Sequence, residues 1–152
     1  MELTIRRASE SDVEKCLEIA MELREWFNEA GLRTMSSDLR VHETYVAELS
    51  NVGIVGFIVL RERSSVMEIL WLAVRKEFHG RGIGTRLVKF AEELARTRGC
   101  KILMVKTSGS KDYEPYIRTR KFYEKLGFIQ LEKIDPYPGW NEPAIIYVKC
   151  LC

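Results

Sequence analysis

Gly80, Gly82 and Gly84 alternate through F-H-G-R-G-I-G-T-R, directly ahead of a run with helical apolar spacing. Glycine removes Cβ where a chain must turn tightly or let a ligand approach its backbone. Leu87, Phe90, Ala91 and Leu94 recur at helical intervals with Ile83 one turn earlier, while Arg86, Lys89, Glu92, Glu93 and Arg96 fill the other face. The glycines therefore stand at a helix N-terminus, whose unpaired N–H groups and roughly half a positive charge suit a pyrophosphate. With Arg81 as an added cation, the chemistry on offer is capture of a phosphate-bearing cofactor. The spacing alone equally allows a plain strand-to-helix turn. A Walker loop needs a Gly-Lys pair that this turn lacks, and a Rossmann fingerprint needs a different third spacing near the first strand of the unit.

The elements that must position the turn flank it on both sides. Leu3 to Arg7 alternates like a strand. Ser9 and Asp12 form a capping signal for a helix that carries Val13, Cys16, Leu17, Ala20, Met21 and Phe27 inward and ends around Gly31, between Asn28 and Arg33. Thr44 to Leu49 and Gly53 to Arg61 read as a hairpin, and Val66 to Val74 as a third strand feeding the glycine turn. After the helix come a strand from Lys101 to Thr107, an irregular segment from Ser108 to Glu114, and a helix opened by Pro115 and ended by Gly127. Phe128 to Ile134 and Ala144 to Cys150 are the last strands, separated by the loop D-P-Y-P-G-W-N-E-P. The order β-α-(α)-β-β-β-α-β-α-β-β reads as an α/β sandwich with a mixed sheet.

A chain of 152 residues with 46% hydrophobic content suits one domain with a real core, here residues 1–152. Its net charge of +2, from 24 basic and 22 acidic residues, gives no electrostatic case for nucleic acid, even around Arg118 to Lys125. The densest apolar stretch, Val52 to Leu60, is too short to span a bilayer, and M-E-L-T-I-R-R lacks an apolar signal core, so a soluble, cytoplasmic protein without a membrane partner is expected. Cys16, Cys100, Cys150 and Cys152 show no C-x-x-C spacing and His42 and His79 stand apart, so no metal site is expected. The cysteines read as reduced thiols, Cys16 and Cys100 partly buried and Cys150 and Cys152 near a strand end, with pairing left open.

A hairpin feeding an apolar strand, a glycine turn and helix, a further strand, and a helix ending in F-Y-E-K-L-G-F resembles the GNAT superfamily of N-acetyltransferases over nearly the whole chain. The resemblance implies a central mixed, largely antiparallel sheet of about six to seven strands flanked by helices on both faces. It also implies acetyl-CoA as acyl-donor cosubstrate. The family signature Q/R-x-x-G-x-G/A falls on His79, Gly80, Arg81, Gly82, Ile83 and Gly84, with Thr85 following, and His79 departs from the usual Gln or Arg. The strand before the turn resembles the family's splayed strand, so the backbone of Leu72, Ala73 and Val74 would take pantetheine and the thioester carbonyl. The family's tyrosine falls on Tyr123, which would donate to the departing sulfur, and Glu68 matches the general base of some members. Tyr116 stands where many members carry an asparagine, so that cofactor contact does not carry over.

Acyl transfer by direct attack needs a neutral amine, and reaching one at pH 7 from a pKa of roughly 10.4 costs about 4–5 kcal/mol. A base within hydrogen-bond reach, directly or through one water, couples that proton loss to attack. Glu68 is the candidate, the alternatives being a solvated strand charge or an arginine partner. Alternation would place Glu68, Leu70 and Leu72 on one face and Ile69, Trp71 and Ala73 on the other unless a bulge intervenes. Tyr123 assists by hydrogen bonding, since full proton donation from about 10 to a thiolate near 8.5 is uphill, or else simply packs on the sheet. A backbone N–H near Leu72 would serve the oxyanion.

The resemblance puts the acceptor beside Trp26, Phe27, Leu32, Met35, Tyr137 and Trp140, an aromatic lining suited to the stem of an amine or a peptide side chain. Ordinary core packing is the alternative for Trp26 and Phe27, and a homodimer contact for Tyr137 and Trp140. The loop from Asp135 to Pro143 would cover the site of its own or a neighbouring subunit. A non-catalytic acyl-CoA-binding sensor or regulatory module is the second functional reading.

Overall fold

Alternating side chains over Leu3–Arg7 make strand β1, which pairs antiparallel with β2 (Glu43–Leu49). In the computed structural model, which describes residues 2–152, β2 turns through Ser50–Val52 into β3 (Gly53–Arg63), and β4 (Val66–Val74) follows. Later in the chain come β5 (Ile102–Ser108), β6 (Ile129–Ile134) and β7 (Ala144–Cys150). The sheet has seven strands in the order β1-β2-β3-β4-β5-β7-β6, and the β1–β2, β2–β3, β5–β7 and β6–β7 pairs are antiparallel. Its helices are α1 (Val13–Met21), α2 (Glu29–Val41), α3 (Ile83–Thr97) and α4 (Glu114–Lys125). By contacts the chain divides into two compact units, one of residues up to Arg61 with Ile69–Leu94, the other of Glu62–Glu68 with Ala95–Cys152.

In the first unit, Cys16, Ile19 and Ala20 of α1 and Met35 and Leu39 of α2 bury against Val46, Phe57, Val59 and Ala73 of the strands. The entry to α1 is held electrostatically. The Ser9 N–H donates to Asp12 Oδ2 at 2.8 Å, and Arg6 of β1 grips both Asp12 oxygens at 2.8 and 3.2 Å while its Nε reaches Glu48 at 3.1 Å. The capping signal of the sequence thus doubles as the anchor of α1 to the β1–β2 edge.

Gly31 does not end a long first helix. Asn28 Oδ1 accepts from the Gly31 N–H at 2.8 Å and caps a second helix, in whose first turn Gly31 lies. An asparagine ahead of helix formers opens a helix as readily as a glycine closes one. Consequently α1 stops at Met21, which is half exposed, and Trp26 and Phe27 lie on the linker.

Along α3, Ile83, Leu87 and Ala91 are buried as the periodicity requires, Val88 and Ala95 join them, and Phe90 and Leu94 are half-buried, Phe90 packing on Tyr45 with ring centres 4.7 Å apart. Gly56 of β3 permits a close approach, since a Cβ there would meet Ala73 O at 2.8 Å. Next to it the β2–β3 register shifts, with Ala47 opposite Gly56 and Glu48 opposite Ile54, which leaves Val55 as the extra residue of a bulge.

In the second unit β7 runs between β5 and β6. Tyr147 donates to Glu124 Oε2 at 2.7 Å and Lys149 Nζ to Leu126 O at 2.8 Å, tying the end of α4 to β7. Among the described residues, no helix is long and apolar enough to cross a membrane, and no cluster of His, Cys, Asp or Glu could hold a metal ion.

The Arg6 guanidinium, helped by the Ser9 N–H and hydroxyl, draws the Asp12 carboxyl from 3.8 down to about 2. Because the folded value lies below the unfolded one, its stabilisation is present above about pH 4 and disappears as pH falls through about 2. Asp12→Asn is expected to cost up to about 2 kcal/mol at pH 7, reduced by the exposure of Arg6. Urea melts from pH 7 to pH 2 check this, and a difference from wild type that stayed constant to the lowest pH would refute it.

Candidate active site

The end of β4 is fastened before the glycine turn begins. The Arg75 N–H donates to the carbonyl of the bulged Val55 at 2.8 Å, and a single 3-10 turn over Lys76–Phe78 follows. Phe78 is buried under two guanidiniums, Arg75 at 5.5 Å and Arg81 at 5.1 Å from its ring centre. Arg75 also pairs with Glu77, and Lys76 with Glu25 at 2.8 Å. Next, Gly80 and Gly82 take φ of +77° and +80°, the left-handed region that a side chain disfavours by roughly 1–2 kcal/mol. A Cβ at either would meet nothing within 4 Å, so backbone conformation rather than crowding demands glycine, and the turn fronts open space. Gly84 already belongs to the first turn of α3, whose leading amides have no partner within the helix.

His79 points back toward the strand. Its Nε2 lies 2.6 Å from Val74 O, and since a carbonyl only accepts, Nε2 carries the proton. Trp26 meets the imidazole edge-on at 5.6 Å, which couples the α1–α2 linker to the turn. Phe27 meets Trp71 the same way at 5.8 Å, and Trp71 Nε1 donates to Asp38 Oδ2 of α2 at 2.7 Å. Leu70 and Trp71 are consecutive, yet both pack on the same apolar cluster. Ala73 and Ile83 are buried, so any part they take in holding a ligand comes through their backbone, whereas Leu72, Val74 and Thr85 are half-buried. Leu32 lines a shallow depression of about 270 Å³ with Leu17, Met21 and Arg24, apart from the contacts of Trp26 and Phe27, and Met35 is fully buried core.

In the second unit Glu68 is only 3% exposed, and both of its oxygens are engaged. Arg63 Nη2 stands 3.5 Å from Oε1 and Lys106 Nζ 3.3 Å from Oε2. Lys106 also lies 5.3 Å from the ring centre of Tyr137, whose ring packs on Trp140 at 4.8 Å. Backbone bonds from Tyr137 N to Glu142 O and from Trp140 N to Tyr137 O close this loop on itself. Glu68 is thus tied through Lys106 to the aromatic loop. That link escaped the sequence reading, although a lone lysine inside the apolar strand I-L-M-V-K-T signals a half-buried cation in need of a carboxylate.

Tyr123 is buried at 3% exposure, with Phe122 and Phe128 edge-on at 5.1 and 5.3 Å. The Phe128 N–H donates to Tyr123 O at 3.1 Å, so closure of the helix at L-G-F is what lays Phe128 against the tyrosine. Burial pushes the Tyr123 phenol well above its ordinary value. Tyr116 instead meets Tyr113 edge-on at 4.7 Å. Arg120 of α4 donates to Ser108 O and Ser110 O at 2.6 and 2.8 Å, fixing the segment that leaves β5.

The model of the acetyltransferase (GNAT) family matches residues 9–128. An uncharacterised N-acetyltransferase of Methanocaldococcus jannaschii is 30% identical over 106 residues, covering 69% of this chain and 64% of its own. Across the curated relatives it matches, the chain spans 42% to 64% of their length. A solved GNAT-family protein of Desulfovibrio desulfuricans superposes with a TM-score of 0.86 at 18% identity, over 99% of this chain and 100% of that one. The PaiA N-acetyltransferase of Thermoplasma acidophilum, solved with coenzyme A, gives 0.78 at 20% identity over 99% of both chains. These structural likenesses establish the fold, and the family model, reaching across most of the sequence, establishes descent: this protein belongs to the GNAT family of acetyltransferases.

Proposed function

We propose that the protein moves an acetyl group from acetyl-CoA to a primary amine of a small molecule or peptide. The observation that carries this reading is the turn with left-handed Gly80 and Gly82, which fronts open space ahead of the first amides of α3 with Arg81 beside it. Those groups fit a pyrophosphate. In this reading Gly80, Arg81, Gly82, Ile83, Gly84 and Thr85 hold the phosphates, mainly through backbone N–H groups, and His79, its Nε2–H on Val74 O and its backbone N–H on Lys76 O, braces the turn that presents them. The backbone of Leu72, Ala73 and Val74 orients the pantetheine. Acetyl-CoA supplies the acyl group and a thiol leaving group.

The amine must lose a proton before or during attack, and Glu68 takes it, directly or through a water. Tyr123 holds its proton because burial disfavours the phenolate, and so donates a hydrogen bond to the departing sulfur. Trp26, Phe27, Leu32, Tyr137 and Trp140 supply the apolar surface for the acceptor.

A second reading has its own observation. Both Glu68 oxygens are already engaged by cations, which leaves the carboxylate without an evident proton to collect and favours a non-catalytic acyl-CoA sensor. Thioester consumption across a panel of amines and peptides, beside calorimetry with acetyl-CoA, separates the two. Turnover on at least one amine is expected, and binding without turnover on any would favour the sensor.

For catalysis, Glu68→Gln is expected to lower kcat by about 10²- to 10⁴-fold with acetyl-CoA affinity retained. An unchanged kcat would move the base elsewhere. Tyr123→Phe should slow turnover by about 10- to 100-fold without abolishing it. Since the folded phenol titrates above its ordinary value near 10, the wild-type rate should show no decline at about pH 10 that Tyr123→Phe removes. A decline there, absent in the variant, would contradict the assigned protonation state.

A further inference from the structure

Cys150 ends β7, and Cys152 follows it across Leu151. The middle residue is anchored: Leu151 is 7% exposed, and its N–H donates to Lys101 O at 2.9 Å. Both cysteines are exposed, and their sulfurs lie 3.6 Å apart. Closing by about 1.5 Å would reach disulfide bond length. We propose that Cys150 and Cys152 form a surface dithiol site that exchanges with low-molecular-weight disulfides, with Cys150 as the attacking thiol and Cys152 as the resolving one.

Hydrogen bonds from the backbone and thiol of Cys152 lower the proton affinity of Cys150, which favours the nucleophilic thiolate. The remaining cysteines are the reverse. Burial pushes Cys16 up to about 12 and raises Cys100 as well. Reactivity therefore concentrates on the C-L-C triplet.

The exchange balances in two displacements. The Cys150 thiolate attacks one sulfur of RSSR, forms a mixed disulfide and expels RS⁻. Cys152 then gives its proton to solvent, and its thiolate attacks Cys150 Sγ and expels the second RS⁻. Two electrons pass from the protein dithiol to the small disulfide, and the products are an intramolecular disulfide and two small thiols. An exposed disulfide of this kind belongs to the labile class that a reducing dithiol reopens.

The test treats the full chain with excess glutathione disulfide, traps remaining thiols with iodoacetamide, and reads intact mass and the peptide carrying both cysteines. The wild type should lose the mass of two hydrogens, yield a bridged peptide, and recover both thiols with dithiothreitol, while Cys16 and Cys100 alkylate only after unfolding. Cys152→Ser should stop at one glutathione on Cys150, and Cys150→Ser should react more slowly at Cys152. Both variants change exposed side chains, and circular dichroism confirms that they fold. The proposal is overturned by stable glutathione adducts without a bridged peptide, by both thiols remaining open to alkylation, by disulfide-linked dimers instead, or by faster reaction in Cys150→Ser than in Cys152→Ser.

Discussion

A missing Cβ on Gly56 sets how closely β3 can run to the end of β4, because any side chain there would press on the Ala73 carbonyl at 2.8 Å. Everything that shapes the glycine turn follows from that approach. It brings the bulged Val55 carbonyl to the Arg75 N–H, and that bond launches the short 3-10 turn. The turn seats Phe78 under its two arginines and delivers the chain to Gly80 in the left-handed region. His79 then straps the far side of the turn to Val74. A loop of glycines would otherwise be among the most mobile parts of a chain. Here its conformational freedom is spent on φ values other residues avoid, while neighbours on both sides hold it in place.

The second unit is organised around a charge that has little access to water. An isolated buried carboxylate is costly, and Glu68 meets that cost with Arg63 and Lys106. Lys106 serves twice, since its ammonium also stands over the Tyr137 ring. Any change in the charge of Glu68 must therefore be felt in the D-P-Y-P-G-W loop. A buried carboxylate that anchors a loop through a shared lysine cannot change its charge without disturbing that loop.

How much of this was readable in the chain depended on whether the signal was local. Gly80, Gly82, the periodicity of α3, and the closure of α4 before Phe128 are short-range features, and the structure shows each of them. Asn28 and Gly31 carried opposing local signals three residues apart, and only the Oδ1 bond to the Gly31 N–H decided for a helix start over a stop. Leu70 and Trp71, neighbours on β4, both touch the apolar cluster built from α1, α2 and the strands, a contact no strand pattern displays by itself. The direction of His79, the pairing of Trp71 with Asp38, and the joining of Glu68 to Lys106 connect residues distant in sequence or set by side-chain rotation. Lys106 alone left a trace, as a single charge in an apolar strand.

Arg81 lies over the Phe78 ring while keeping its full charge. A long, flexible side chain ordinarily surrenders about 0.5–1.5 kcal/mol of rotameric freedom when it is immobilised on a ligand. A guanidinium already resting on an aromatic face has surrendered part of that in folding. In the role proposed for the turn, recruiting this cation to a pyrophosphate would carry a correspondingly smaller entropic penalty, set by an apolar ring that need not touch the anion.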